Sequence, residues 1–252
     1  MRLAWCGHGL EEHLAKTALL AKGDAKAVGE AVAKSERELG VKLNERLIMR
    51  EVKTTADRLA QLLKIQRAGD AVALAAYLHD VGKAISAYQL RLQSAGPGCK
   101  TSLRGHEIWS AWVAYHIAER LWDKEAATAL AAAVALHHSA RRSLDEVVLD
   151  AVKVWPEWGD VDEMFALAQR GLDLLGLELE AAEAEAAARH EWLSRKALEQ
   201  LRSRLLNPAA LWGELIVHVI AMADNIDSAL ARGEKRVAYI LRPLSETPAG
   251  AP

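Results

Sequence analysis

The stretch Ala71-Val72-Ala73-Leu74-Ala75-Ala76-Tyr77-Leu78-His79-Asp80-Val81-Gly82-Lys83 decides how this chain is read. An alanine- and leucine-rich apolar run favours helix, and this one stops abruptly on an imidazole, a carboxylate, a glycine and a lysine. Asp70 is placed to cap the helix and Gly82 to end it. Adjacent helical residues point about 100° apart, but at a helix end His79 and Asp80 can both turn toward one ion. Lys83, four residues after His79, reaches the same pocket. The alternative is an ordinary helix C-terminus whose His and Lys complement the dipole.

Outward from this stretch, nearly everything reads as helix. The six prolines, at 97, 156, 208, 243, 248 and 252, fall at boundaries or in the tail. Helices are expected over 10–21, 24–39, 44–66, 70–81, 104–122, 124–137, 161–175, 178–205 and 208–231, with Asn207-Pro208 opening the last. Residues 178–206 carry charge throughout and a narrow stripe of Leu193, Leu198, Leu201 and Leu205, which predicts one long helix, lying on the surface or binding a partner. The segment 94–98 is a loop, and 244–252 lacks periodicity and is expected to be a flexible tail. No repeat or second composition regime interrupts 1–243, so a single all-α domain is expected.

Four further signals share the chemistry of the first. Leu136-His137-His138 ends another alanine-rich apolar helix, and paired imidazoles suit a borderline divalent metal. Arg104-Gly105-His106-Glu107 opens an amphipathic helix, and Glu12-His13-Leu14 lies in the first helix. Ala223-Asp224-Asn225-Ile226-Asp227-Ser228 follows the apolar run 216–223. His8 competes with His13 for one ligand role, and Asp227 with Asp224 for another. His116, His190 and His218 lie within amphipathic helices and read as structural. His13, His79, Asp80, His106, His137, His138 and Asp224 exceed what one catalytic ion can use, since such an ion must keep a position open. Two ions sharing a bridging group fit better, and that pairing suits hydrolysis of a phosphoryl ester.

Composition bounds the reading. The 252 residues hold 32 basic and 34 acidic side chains, a net charge of −2, so bulk charge does not hold nucleic acid here. Only Cys6 and Cys99 occur, which leaves no disulfide framework and no cysteine zinc site. Neither a secretory signal nor a membrane span is read, so a cytoplasmic protein is expected. Arg141, Arg142, Arg232, Lys235, Arg236 and Arg242 are candidate phosphate contacts or solvated surface charge. The eight tryptophans, Trp109 and Trp112 among them, read mostly as core.

The order His13, His79-Asp80, His106, His137-His138, Asp224 on an all-helical chain resembles the HD phosphohydrolase superfamily. Its nearest likeness is the stand-alone HD nuclease of type I CRISPR interference. The resemblance implies an HD-domain helical bundle and a metal-dependent nuclease acting on single-stranded DNA. His13, His79, Asp80 and Asp224 would hold one divalent ion, and Asp80, His106, His137 and His138 another, with Lys83 near the scissile phosphate. Manganese, nickel, cobalt or iron suit such donors better than magnesium. The resemblance also implies a separate helicase subunit and a type I surveillance complex as partners, since no phosphate-cradling glycine-lysine loop is present. An HD-type nucleotide or cyclic-nucleotide phosphohydrolase is the rival reading. The Gly-Tyr-Pro that usually follows the histidine doublet in the cyclic-dinucleotide branch is absent after His138.

Overall fold

The computed structural model describes residues 2–5, 7–95, 101–138, 143–233, 241 and 243–245. A small antiparallel ribbon, β1 (Leu3–Trp5) and β2 (His8–Gly9), leads into α1 (Leu10–Lys22), α2 (Ala25–Lys34) and α3 (Glu45–Leu63). Then come α4 (Ala68–Leu78), α5 (Ser86–Ser94), α6 (His106–Leu121), α7 (Lys124–Leu136) and α8 (Leu144–Val152). The described chain continues through α9 (Trp158–Leu175), α10 (Ala181–Leu193), α11 (Ala197–Leu205) and α12 (Gly213–Arg232). The fold is all-α, as the sequence predicts.

Helix α4 is the axis of the bundle. Its residues are buried all round, which explains why the sequence there shows no polar face. Small alanines let α1, α3, α6, α7, α9 and α12 pack directly on it. Helix α6 lies along α7, whose run from Ala126 to Ala135 is also fully buried. The ends of α4 and α7 thereby open toward one place.

Several expectations are corrected. Asp70 does not cap α4; Arg67, in the left-handed region, takes that position, and Asp70 pairs with Arg67 and Lys22. Helix α4 ends at Leu78, and Gly82 belongs to the short 3-10 turn Val81–Ala84. The stretch 178–206 is two helices, broken where Arg195 takes φ 56° and the Ser194 hydroxyl donates to the carbonyls of His190 and Glu191. It is also not merely superficial. Glu191 of α10 accepts from Trp112 and His116 of α6 and from Arg204 of α11, which ties both helices to the body.

The ribbon, α5 and α8 were not anticipated. Helix α8 carries a legible sign, the capping box of Ser143 and Glu146. The run Pro208–Arg232 is long and apolar enough to cross a membrane by length and composition, against the sequence reading. It is a core helix: Ile216, Val219, Ile220, Ala223 and Ile226 are buried, and α12 packs on α1, α4 and α7. The run opens at Asn207-Pro208 as expected, with Asn207 accepting from the Ala209 amide, but as the 3-10 turn Pro208–Trp212 before α12 begins at Gly213. The tail's first residues are pinned, since Ser245 bridges to Leu43 and the Leu244 carbonyl accepts from Asn44. Trp109 and Trp112 are core, as read.

Candidate metal centre

The site begins where α4 runs out. His79 is the C-cap residue, and Asp80 leaves helical geometry at φ −119°, ψ 7° before the 3-10 turn. That turn presses against the start of α6. A Cβ on Gly82 would stand 2.2 Å from the His106 carbonyl oxygen, so only glycine permits the approach. The Gly82 amide donates to Ser110 Oγ at 2.8 Å and locks the contact. His106 opens α6, and His137 caps α7. His13 comes from α1, Asp224 and Asp227 from α12.

Three imidazoles are oriented by the backbone. His79, His106 and His137 place Nδ1 on the carbonyls of Ala76, Leu103 and Val134 at 2.6, 2.7 and 2.6 Å. A carbonyl only accepts, so each Nδ1 carries a proton, and in the neutral ring Nε2 keeps a lone pair. Those lone pairs converge on Asp80. His106 Nε2 lies 2.8 Å and His137 Nε2 3.6 Å from Asp80 Oδ1. Asp80 Oδ2 faces His13 Nε2 at 3.3 Å, His79 Nε2 at 3.4 Å and Lys83 Nζ at 2.5 Å. His13 Nε2 also lies 3.5 Å from Asp224 Oδ1 and 3.3 Å from His79 Nε2. The His138 ring leans on His137 with centroids 4.0 Å apart.

With the imidazoles neutral, as metal binding requires, this arrangement sets acceptors against acceptors. Asp80 Oδ1, His106 Nε2 and His137 Nε2 are buried without a hydrogen-bond partner, close as they are to one another. Such atoms cost free energy unless a cation or proton sits among them. Donors of this kind fit divalent transition metals: imidazole nitrogens and carboxylate oxygens, with neutral imidazoles already turned inward. Two donor groups share the central carboxylate, His13–His79–Asp80 and Asp80–His106–His137–His138.

Electrostatics tell the same story. Burial pushes the Asp80 carboxyl up, but Lys83, His79 and His106 together hold it well below the usual carboxylate range. Burial lowers His13, yet the bonds to Asp227 and Asp80 outweigh it and raise the imidazole to about 9. Without metal, a proton on His13 neutralises the carboxylates around it. His138 is held down to about 2, first by the charge on His137 and then by burial. Asp227 is lowered to about 2, because its bonds from His13 and His8 overcome burial.

All seven expected ligands and Lys83 thus fall in one place. His116 instead bonds Glu191 and His218 contacts Thr55, so neither joins the site. A cavity of about 340 Å³ reaches the centre, lined by Trp5, Lys83, Arg104, His106, His138, Asp224, Ser228 and Arg232. Arg104 at this mouth was missed in the sequence, as was the place of Trp5, whose ring lies under Arg232. Arg141, Arg142, Lys235, Arg236, Arg242, Cys6, Cys99 and most of the 94–98 loop lie outside the described residues.

A helical bundle gathering a His-Asp doublet and further imidazoles around one carboxylate defines the HD class of domain. The chain belongs to the Cas3 HD domain family, whose model matches residues 23–229. That match contains every expected ligand except His13. The CRISPR-associated Cas3 HD domain protein MJ0384 from Methanocaldococcus jannaschii shares 22% identity at a TM-score of 0.50, covering 89% of this chain and 98% of its own. A crystal structure of a CRISPR-associated protein shares 21% identity at a TM-score of 0.44, with 97% of this chain matched to 26% of that one. The comparison with curated proteins gave no match.

Proposed function

We propose that this chain is a metal-dependent nuclease that hydrolyses phosphodiester bonds of single-stranded DNA in CRISPR antiviral defence. The observation that supports this reading is the position of Asp80, whose two oxygens face two separate groups of nitrogen donors. In this reading His13, His79, Asp80 and Asp224 hold one divalent ion, and Asp80, His106, His137 and His138 hold the other. Bound there, such ions supply water of lowered pKa and neutralise charge on a phosphoryl group.

The chain's own residues do the rest. Backbone carbonyls keep three imidazoles turned inward, so the donor set needs little rearrangement. Lys83 lines the cavity beside Asp80, where its ammonium meets a phosphate oxygen entering from the mouth. Arg104 and Arg232 sit at the same mouth and hold neighbouring phosphates. No base-reading group is needed for this, so cleavage has little sequence preference. The site handles one flexible strand, and a separate helicase chain with a type I surveillance complex delivers it in the cytoplasm. Manganese, nickel, cobalt or iron are the favoured ions, with magnesium less suited to so many nitrogens.

A metal-by-substrate cleavage matrix with wild type and Asp80→Ala tests this. Circular single-stranded DNA should be cut only with added metal, and Asp80→Ala should lose the activity. Nucleotide hydrolysis with the circle left intact would favour a nucleotide phosphohydrolase instead. Equal cutting by Asp80→Ala would overturn the site.

A further inference from the structure

His13 is oriented differently from His79, His106 and His137. His79 and His137 stand at helix ends, where the last carbonyls lack helical partners and accept the Nδ1 proton. His13 lies inside α1, where the preceding carbonyls are engaged by helix hydrogen bonds. Its Nδ1 turns instead to Asp227 Oδ2 on α12, at 2.8 Å. The same oxygen lies 3.3 Å from His8 Nε2 on β2, and the His8 ring stacks on Trp5 with centroids 4.5 Å apart. His13 is 0% exposed and Asp227 4%, so water does not screen the pair.

His8, His13 and Asp227 are close enough to hold an ion of their own. His106 Nε2 and Asp80 Oδ1 are as close but have no hydrogen-bond partner, whereas His13 Nδ1 and Asp227 Oδ2 meet in hydrogen-bond geometry and are satisfied without an ion. We propose that Asp227 is a positioning residue. It keeps Nδ1 of His13 protonated and Nε2 aimed at Asp80 and Asp224. Its charge also makes this imidazole a stronger donor than the carbonyl-backed ones. The group His13–His79–Asp80–Asp224 therefore fills before the group Asp80–His106–His137–His138. The filling order rests on the metal-centre reading above; the orientation of His13 does not.

Two measurements test it. Metal-free protein titrated with manganese alone should take up two ions per chain in two steps. Asp227→Asn should weaken the first step by about 10–100-fold and leave the second in place, with Asp227→Glu recovering part of the loss. Independently, nitrogen-15 NMR of the metal-free wild type should show a downfield, slowly exchanging His13 Nδ1 proton, retained in His8→Ala. Two unaltered steps in Asp227→Asn would overturn the proposal. So would a wild-type His13 without a proton on Nδ1, a result that needs no variant to fold. A wild type that keeps this proton but binds no manganese would sink the metal-centre reading and the filling order, and uphold the orienting role.

Discussion

Gly82 and His106 meet so closely that a methyl group on the first would fall 2.2 Å from the carbonyl oxygen of the second. This contact sets the distance between the His79–Asp80 corner and the start of α6, and hence between the two halves of the donor set. Gly82→Ala should cost about 1–3 kcal/mol by overpacking and reduce metal loading at Asp80–His106–His137–His138 first. Thermal unfolding and metal counting on the same sample check this. A variant of unchanged stability that loads normally would show the contact to be slack.

Lys83 and Asp80 touch, yet their roles separate on substitution. Lys83→Met should retain metal, because the carboxylate is left intact, while turnover falls by about 100-fold through loss of one positive donor at the phosphate. Metal content and single-turnover cleavage, measured together, distinguish this from collapse of the centre.

Metal uptake should depend on pH through His13. In the metal-free protein this group is raised to about 9, so below that pH an incoming ion must displace its proton. Affinity of the first step should therefore climb by about tenfold per pH unit from pH 7 to 9 and level off above. The stability term has the opposite sense. A raised imidazole stabilises the metal-free fold below its ordinary pKa, and that contribution is lost as pH rises through about 9. Titration calorimetry in buffers of different ionisation enthalpy counts the released proton.

At the cavity mouth, Arg104 and Arg232 should act on binding and not on chemistry. Replacing either with alanine should raise KM for single-stranded DNA with kcat retained. Each loss should lower the salt slope of binding by about 0.7. An unchanged slope in both variants would remove them from the strand's path.

Far from the centre, Glu191 holds α10 and α11 to α6. Its bonds from His116 and Arg204 overcome burial and keep its carboxyl at about 2, so its stabilising effect is present above pH 4.5 and fades as pH falls through about 2. Glu191→Ala strands the Arg204 guanidinium and should cost about 3 kcal/mol. Denaturant unfolding at pH 7 measures the loss, and metal uptake by the folded fraction should be preserved.

How far the sequence could be read depended on the range of the forces involved. The run from Ala71 to Leu78 announced α4, because an all-apolar helix has few alternatives to burial. The imidazoles were legible because each stands beside an abrupt helix end or a local carboxylate. The choice of His13 over His8 rests on the Glu12-His13-Leu14 context alone, and nothing local separates Asp224 from Asp227. His8 and His13 flank the start of α1 and Asp224 and Asp227 share a face of α12, and only the packing of α1 against α12 sets Asp224 at Nε2 of His13 and Asp227 at its Nδ1. The break at Arg195 was hidden because charge periodicity continues across it, whereas the Glu191 anchor comes from contacts with α6. Arg104 carries no local signal beyond its nearness to His106, and its place at the mouth follows from how α6 begins.

Three of the imidazoles at the centre owe their orientation to peptide carbonyls, which no point substitution can delete. His13 depends on a side chain instead, that of Asp227. Mutational drift can therefore repaint most of the surroundings of this centre without turning its ligands. Among these four imidazoles, the orientation open to loss by a single codon change behind the donor is that of His13, through Asp227.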